Sequence, residues 1–177
     1  MKPLIVFYSR SGSTKKVARE LAALMSCGID EILDVQSRKG VSGYLRSGKE
    51  AMKKIIPEIL PAGKNPEIYD LVIIGTPVWG WSLSSPVRAY ALKNKEKFKR
   101  VAFFCTMGGS GGKNAFAELK GVCGKEPVAL LELRTAEMQK PGYALKLKGF
   151  ADQIAKSIAA SEKAMPRKNL KKKSKKI

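Results

Sequence analysis

Unbroken apolar runs and helical-period stripes follow one another along the chain. Pro3 to Tyr8 is continuously apolar, as expected of a central strand covered on both faces. It passes directly into a predicted helix on which Val17, Leu21, Leu24 and Met25 recur at helical spacing, with Gly28 as the expected stop. Glu31 to Val35 reads as a short second strand. A second helix pattern then places Val41, Tyr44, Leu45, Gly48, Met52, Ile55 and Ile56 on one stripe, stopped by Pro57, and that stripe is expected to cover the sheet. Exposure of the same stripe as an interface is the alternative.

The segment from Pro57 to Pro66 holds three prolines and one glycine and reads as an irregular connection. Leu71 to Ile74 is the next buried strand, ending in the loop GTPVWGWSLSS. Ser85 followed by Pro86 forms an N-cap and first-turn pair for a helix through Val87, Tyr90 and Ala91, and Lys93 to Arg100 reads as a charged loop. Val101 to Cys105 is a further strand, followed by TMGGSGGK and a short helix with Ala115, Phe116 and Leu119. Pro127 to Leu133 is the last strand. Leu147, Phe150, Ala151, Ile154 and Ile158 mark the final amphipathic helix. Alternating apolar strands and helices of this kind imply an α/β domain, a parallel sheet with helices on both faces.

Composition narrows the chemistry. The 177 residues contain no histidine, which removes the commonest general acid–base and excludes serine–histidine and cysteine–histidine hydrolysis in their usual forms. Cys27, Cys105 and Cys123 are odd in number, lack C-x-x-C spacing and lie in apolar or glycine-bordered sequence, as free buried thiols do in a reducing compartment. The start MKPLIVFYS is too short for a signal-peptide core and no stretch approaches a membrane span, so a cytoplasmic location is expected.

The formal net charge is +19. Pro166 to Ile177 contributes seven basic charges and no acidic one. The expected division is therefore a folded domain over residues 1–163 and a basic, disordered tail over 164–177. Such a tail is most simply a solvated end, and attraction to nucleic acid or an anionic membrane is the sharper alternative. The remaining +12 favours anionic ligands or acidic partners.

Three loops lie at the carboxyl ends of predicted strands, and in an open parallel sheet those ends share one ligand-binding edge. The first runs from Phe7 to Ala22, FYSRSGSTKKVARELA, where Ser9, Ser11, Ser13 and Thr14 surround Gly12 at a helix start. Helix-start amides and hydroxyls favour an anion. Capping alone needs one hydroxyl, and four stand within six positions. The second loop carries Trp79 and Trp81, and the third is glycine-rich. Together they describe a ligand with an anionic end, a flat apolar part and polar edges.

Other phosphate motifs fail on particular residues. A P-loop would need glycine at Met107 and a hydroxyl at Asn114, and the G-x-G-x-x-G fingerprint is missing because the first loop has only Gly12 and the glycines of the third do not fall at that spacing. A mononucleotide therefore fits better than a dinucleotide. A receiver domain needs an acidic pair where Ser9-Arg10 stands, and a small tyrosine phosphatase needs a cysteine that the first loop lacks.

The chain resembles the flavodoxin-like family from about Pro3 to Ala160. The resemblance is carried by Ser9-Arg10-Ser11-Gly12-Ser13-Thr14, by Gly75-Thr76-Pro77-Val78-Trp79, and by Thr106-Met107-Gly108-Gly109. Tyr44 to Ala51 and Ser84 to Tyr90 add to it. What it implies is a doubly wound five-stranded parallel sheet of order 2-1-3-4-5, non-covalent FMN binding and oxidoreductase or electron-transfer chemistry. The resemblance places the FMN phosphate at Ser9, Arg10, Ser11, Gly12, Ser13 and Thr14, and the isoalloxazine along Thr76, Pro77, Val78, Trp79 and Gly80. It places the pyrimidine edge at Thr106, Met107, Gly108, Gly109 and Gly112. Each tryptophan has a second reading, as a packing anchor beneath its loop.

Two departures from electron-transfer flavodoxins stand out. Those proteins are acidic and set a tyrosine in the third loop, whereas this chain is basic and has Met107 and glycines there. An uncovered flavin face would admit a second planar molecule, such as NAD(P)H or a quinone. The physiological donor and acceptor leave no mark in the sequence.

Overall fold

A computed structural model describes residues 1–164; the basic tail expected over 164–177 lies outside the described residues but for its first position. Among the described residues six strands and five α-helices follow in the order β1 (Pro3–Phe7), α1 (Ser13–Met25), β2 (Gly28–Glu31), α2 (Gly40–Met52), β3 (Leu71–Trp79), β4 (Ser82–Leu83), α3 (Ser85–Asn94), β5 (Val101–Met107), α4 (Gly112–Cys123), β6 (Pro127–Arg134) and α5 (Tyr143–Ala164).

The sheet runs β2-β1-β3-β5-β6, with every pair on that path parallel. Without the short antiparallel β4, which pairs only with β3, this is the expected five-stranded order. Alternation along each strand sorts the core into two layers. Leu4, Val6, Val72, Ile74 and Phe103 pack with Val87 and Tyr90 of α3 and Phe116 and Leu119 of α4. Ile5, Phe7, Leu71, Ile73 and Phe104 pack on the other face with Val17 and Leu21 of α1 and Phe150 and Ile154 of α5. The stripe read for the last helix is thus a core stripe, with Leu147, Phe150, Ile154 and Ile158 all buried.

Several boundaries differ from the sequence expectation. Gly28 does not stop α1: Ser26 turns left-handed at φ 48°, the Cys27 amide donates to Ala22, and Gly28 opens β2 beside Leu4. The second strand is therefore Gly28–Glu31 rather than 31–35, and Asp34 instead forms an isolated bridge with Ile59. Cys27 is half-buried, unlike the buried Cys105 and Cys123, and all three thiols are free.

The stretch after Ile74 is not an open loop. β3 continues to Trp79, and a two-residue turn at Gly80 (φ 53°) and Trp81 (φ 59°) reverses the chain into β4. Positive φ at both turn positions matches the twist of a tight hairpin. β5 likewise continues through Thr106 and Met107. The N-cap of α3 is Ser84 rather than Ser85, with Pro86 in the first turn, and the helix runs to Asn94 before a 3-10 turn at Lys95–Lys97.

α2 presents the larger surprise. Its apolar stripe does not cover the sheet: Val41, Tyr44, Leu45 and Met52 are exposed, as are Ile55 and Ile56 beyond its end. Gly43, Ser47 and Ala51, spaced by four, face inward instead. A Cβ at Gly43 would collide with the Arg38 backbone, so only a line of small residues permits this close approach. The helix ends at Met52, and Lys54 at φ 55° redirects the chain before Pro57 is reached.

Among the described residues no helix is long and apolar enough to cross a membrane.

Candidate functional site

The carboxyl ends of β1, β3 and β5 meet at one edge of the sheet, and a cavity of about 260 Å³ opens between them. One wall is Arg10, Ser11 and Ser13 from the first loop; another is Pro77, Val78 and Trp79 from β3; a third is Thr106, Met107 and Gly108 from β5 and its following loop. Three segments far apart in sequence thus converge because a parallel sheet puts like strand ends on one side.

The first loop is ordered by its own hydroxyls. Ser9 Oγ accepts hydrogen bonds from the amides of Gly12 (3.1 Å) and Lys15 (3.2 Å). Gly12, at φ 95°, precedes the first residue of α1, where a Cβ would meet nothing within 4 Å, so backbone conformation rather than space selects glycine. The Ser13 and Thr14 amides have no protein acceptor among the described residues, as expected for a helix start, and they make the loop receptive to an anion. Among the described residues no carboxylate lines the cavity and Arg10 does, so its chemistry suits a negatively charged group.

Thr14 and Thr106 are nearly fully buried, and their hydroxyls bond each other across 2.8 Å. Thr76, also buried, shares a 2.9 Å hydroxyl bond with Ser84 and donates to the Pro77 carbonyl. These threonines hold the walls together and do not project free hydroxyls.

Trp79 is buried to 8% exposure, its ring meeting Tyr8 edge-on at 5.5 Å and lying 5.4 Å from the Arg38 guanidinium carbon. It is both a packing anchor and a lining residue. Burial pushes the Tyr8 phenol above its ordinary pKa, with the Arg38 charge opposing. Trp81 is 63% exposed and donates from Nε1 to Ser110 Oγ at 3.0 Å, fastening the β3–β4 turn to the third loop.

The remaining expected residues divide. Gly80 sits in the hairpin turn beneath Met52, away from the cavity lining. Gly109 borders a separate polar cleft with Glu132 and Lys113, as does Gly112, where an added Cβ would stand 2.7 Å from the Glu132 carboxyl carbon and displace that side chain.

Tyr44 and Thr135 also line the cavity, and sequence reasoning did not assign either to it. Tyr44 reaches it from α2, with the Arg10 guanidinium carbon 5.0 Å from its ring; Thr135 follows β6 and donates to the Met107 carbonyl at 3.1 Å. Gly111 was missed too: at φ 105° it abuts Trp81, whose Cα would lie 2.7 Å from an added Cβ. Its place in the run Gly108-Gly109-Ser110-Gly111-Gly112 was the available signal.

The flavodoxin family model matches residues 2–129. Among solved structures, a flavoprotein in complex with FMN from Lactobacillus acidophilus NCFM is 26% identical over 78% of this chain and 97% of its own, with a TM-score of 0.65. A protein from Bacteroides eggerthii DSM 20697 is 25% identical over 85% of this chain and 98% of its own, with a TM-score of 0.67. Oxidised flavodoxin 1 from Bacillus cereus, 17% identical over 88% of this chain and 98% of its own, shares the fold with a TM-score of 0.55. No curated protein matches the chain.

Proposed function

The chain belongs to the flavodoxin family, and we propose that it binds FMN non-covalently in the cavity between the β1, β3 and β5 strand ends and carries electrons through it. The observation that carries this reading is the convergence of a hydroxyl-rich helix start with a tryptophan-bearing strand end and a glycine-rich third loop around one carboxylate-free cavity. The relative from Lactobacillus acidophilus solved in complex with FMN supports the same identification.

In this arrangement Ser11, Ser13 and the free amides of Ser13 and Thr14 hold the phosphate, with Arg10 supplying charge and Ser9 and Gly12 shaping the loop. Thr76, Pro77, Val78 and Trp79, with Gly80 setting the turn, flank the flat ring. Thr106, Met107 and Gly108 lie along its polar edge, where backbone groups tune the charge the ring carries when reduced; Gly109 and Gly112 lie behind it, in the third loop beside β6. FMN supplies the redox chemistry, and this protein supplies position and electrostatics.

A second reading, an NAD(P)H-dependent reductase of quinones or flavins, is favoured by the third loop: Gly108 and Gly109 have open space where side chains would stand, leaving one side uncovered. Flavin absorbance of the purified protein, or its uptake of added FMN with micromolar or better affinity, tests the first proposal; absence of both would sink it. Stopped-flow mixing of the FMN-loaded protein with NADH and NADPH separates the two readings. Rapid two-electron bleaching makes it a reductase, and reduction only by a protein donor makes it a carrier.

A further inference from the structure

α2 and the β3–β4 turn enclose a second cavity, of about 410 Å³. Two glycines create it. At Gly80 an added Cβ would stand 2.8 Å from Met52 Cγ, so α2 seats directly on the turn through Met52. At Gly48, one turn earlier on the helix, an added Cβ would meet nothing within 4 Å, and the space a side chain would fill stays open.

The walls are apolar: Tyr44, Leu45 and Met52 from α2, with Val78 and Trp79 from β3. Tyr44, Leu45 and Met52 are each about 60% exposed, so covering them removes apolar surface from water. Lys49 and Lys53, four residues apart and so on the same side of the helix, complete the lining, and no carboxylate among the described residues joins them. Neither lysine has an ion-pair partner among the described residues. The helix's own carboxylate, Glu50, is engaged by Arg38 at 2.7 Å and Arg46 at 3.6 Å. Lysines near a helix end offset its dipole, but that role does not account for the apolar walls beside them.

We propose that this groove binds a planar apolar anion, of which an aromatic carboxylate is the simplest. Its ring lies against Tyr44, Leu45 and Met52, and its charge is met by Lys49 and Lys53. A second copy of the chain is a poorer occupant, because two-fold pairing on this face would set the same two lysines against each other. The groove shares Tyr44, Val78 and Trp79 with the cavity proposed for FMN but none of its first- or third-loop residues, so the proposal sets the two ligands side by side, and flavin retention is read together with binding.

The test is calorimetric titration of 1-hydroxy-2-naphthoate, and of neutral 2-naphthol, into purified protein whose flavin content is measured first. The expected result is saturable one-to-one binding of the naphthoate, about tenfold tighter than the naphthol, with flavin content unchanged. Gly48→Leu fills open space with a better helix former, so it folds, and it should abolish binding. Lys49→Gln with Lys53→Gln should weaken naphthoate to the level of naphthol. Absence of saturable binding, equal affinity for both probes, insensitivity to Gly48→Leu, or flavin release by naphthoate would each overturn the proposal. A protein that takes up no FMN refutes the flavin reading alone, since the naphthoate titration is read independently of it.

Discussion

The hydroxyls of Thr14 and Thr106 meet at 2.8 Å, joining the first turn of α1 to the end of β5 across 92 positions of sequence. Each is the other's partner in a buried setting, so the pair works as a latch between two walls of the cavity.

Replacing one member by valine keeps the shape and strands the other hydroxyl, which costs about 1–3 kcal/mol. Replacing both removes the need for a partner. Thr14→Val and Thr106→Val should each lower urea stability by such an amount, and the double variant should recover most of it. Additive losses in that double-mutant cycle would show that the two residues act separately.

Gly75 and Phe104 are direct neighbours in the β3–β5 register, and the phenyl ring occupies the place where a side chain at position 75 would stand. Gly75→Ala should destabilise by about 1–3 kcal/mol through overpacking, while Phe104→Leu in the same chain makes room and recovers part of the loss. Chemical denaturation of the two singles and the double variant reads the coupling. The glycine of the GTPVW segment is then a packing requirement of the sheet.

Arg38 is buried beneath the α2 side of the site, ion-paired with Asp34 and, at 2.7 Å, with Glu50, and its guanidinium lies against Trp79. Arg38→Met removes the shared cation and leaves two carboxylates without it. Breaking a buried pair in this way costs about 3–5 kcal/mol. The expected variant shows that loss in urea together with altered Trp79 fluorescence. Retained stability would mean that water already compensates these groups.

The alternation of apolar runs and helical stripes made the parallel sheet and its ligand edge legible in the sequence, because each element's periodicity is a local property, whereas the strand order followed from the flavodoxin resemblance. Position on the ligand edge was legible for the same reason: Ser9 to Thr14 and Thr106 to Gly108 each follow an unbroken apolar run. The face α2 turns inward was not. Its conspicuous residues, Val41, Tyr44, Leu45 and Met52, promised burial, yet Gly43, Ser47 and Ala51 are what the Arg38 backbone and the sheet admit. Small residues at four-residue spacing carried that information in the sequence and had no hydrophobic signal to announce it. Tyr44 escaped notice at the site as a consequence, since only an outward-turned α2 brings it to Arg10. The length of β3 was hidden too, because the Gly80–Trp81 turn looks in sequence like one more glycine of a loop.

The three thiols set an alkaline limit on stability. Burial pushes Cys105 and Cys123 up to about 12 and Cys27 up to about 11, from an ordinary value of 9.0. An acid whose folded pKa is raised keeps its proton in the folded chain while the unfolded chain gives it up. Its contribution is therefore fully present below pH 9 and is lost as pH climbs from 9 through the folded values of 11 to 12. Burial raises the phenols of Tyr8 and Tyr90 as well, which steepens the same fall. The urea midpoint should thus be level between pH 7 and 8.5 and drop steadily above 9, and Cys105→Ala should drop less steeply than the parent even though its cavity lowers the starting midpoint. Thiol labelling offers an independent check on the same burial. Near pH 8, iodoacetamide should modify Cys105 and Cys123 only after denaturation, with half-buried Cys27 reacting first. Rapid modification of Cys105 in the native protein, or a parent midpoint that stays flat to pH 11, would remove the basis for this limit.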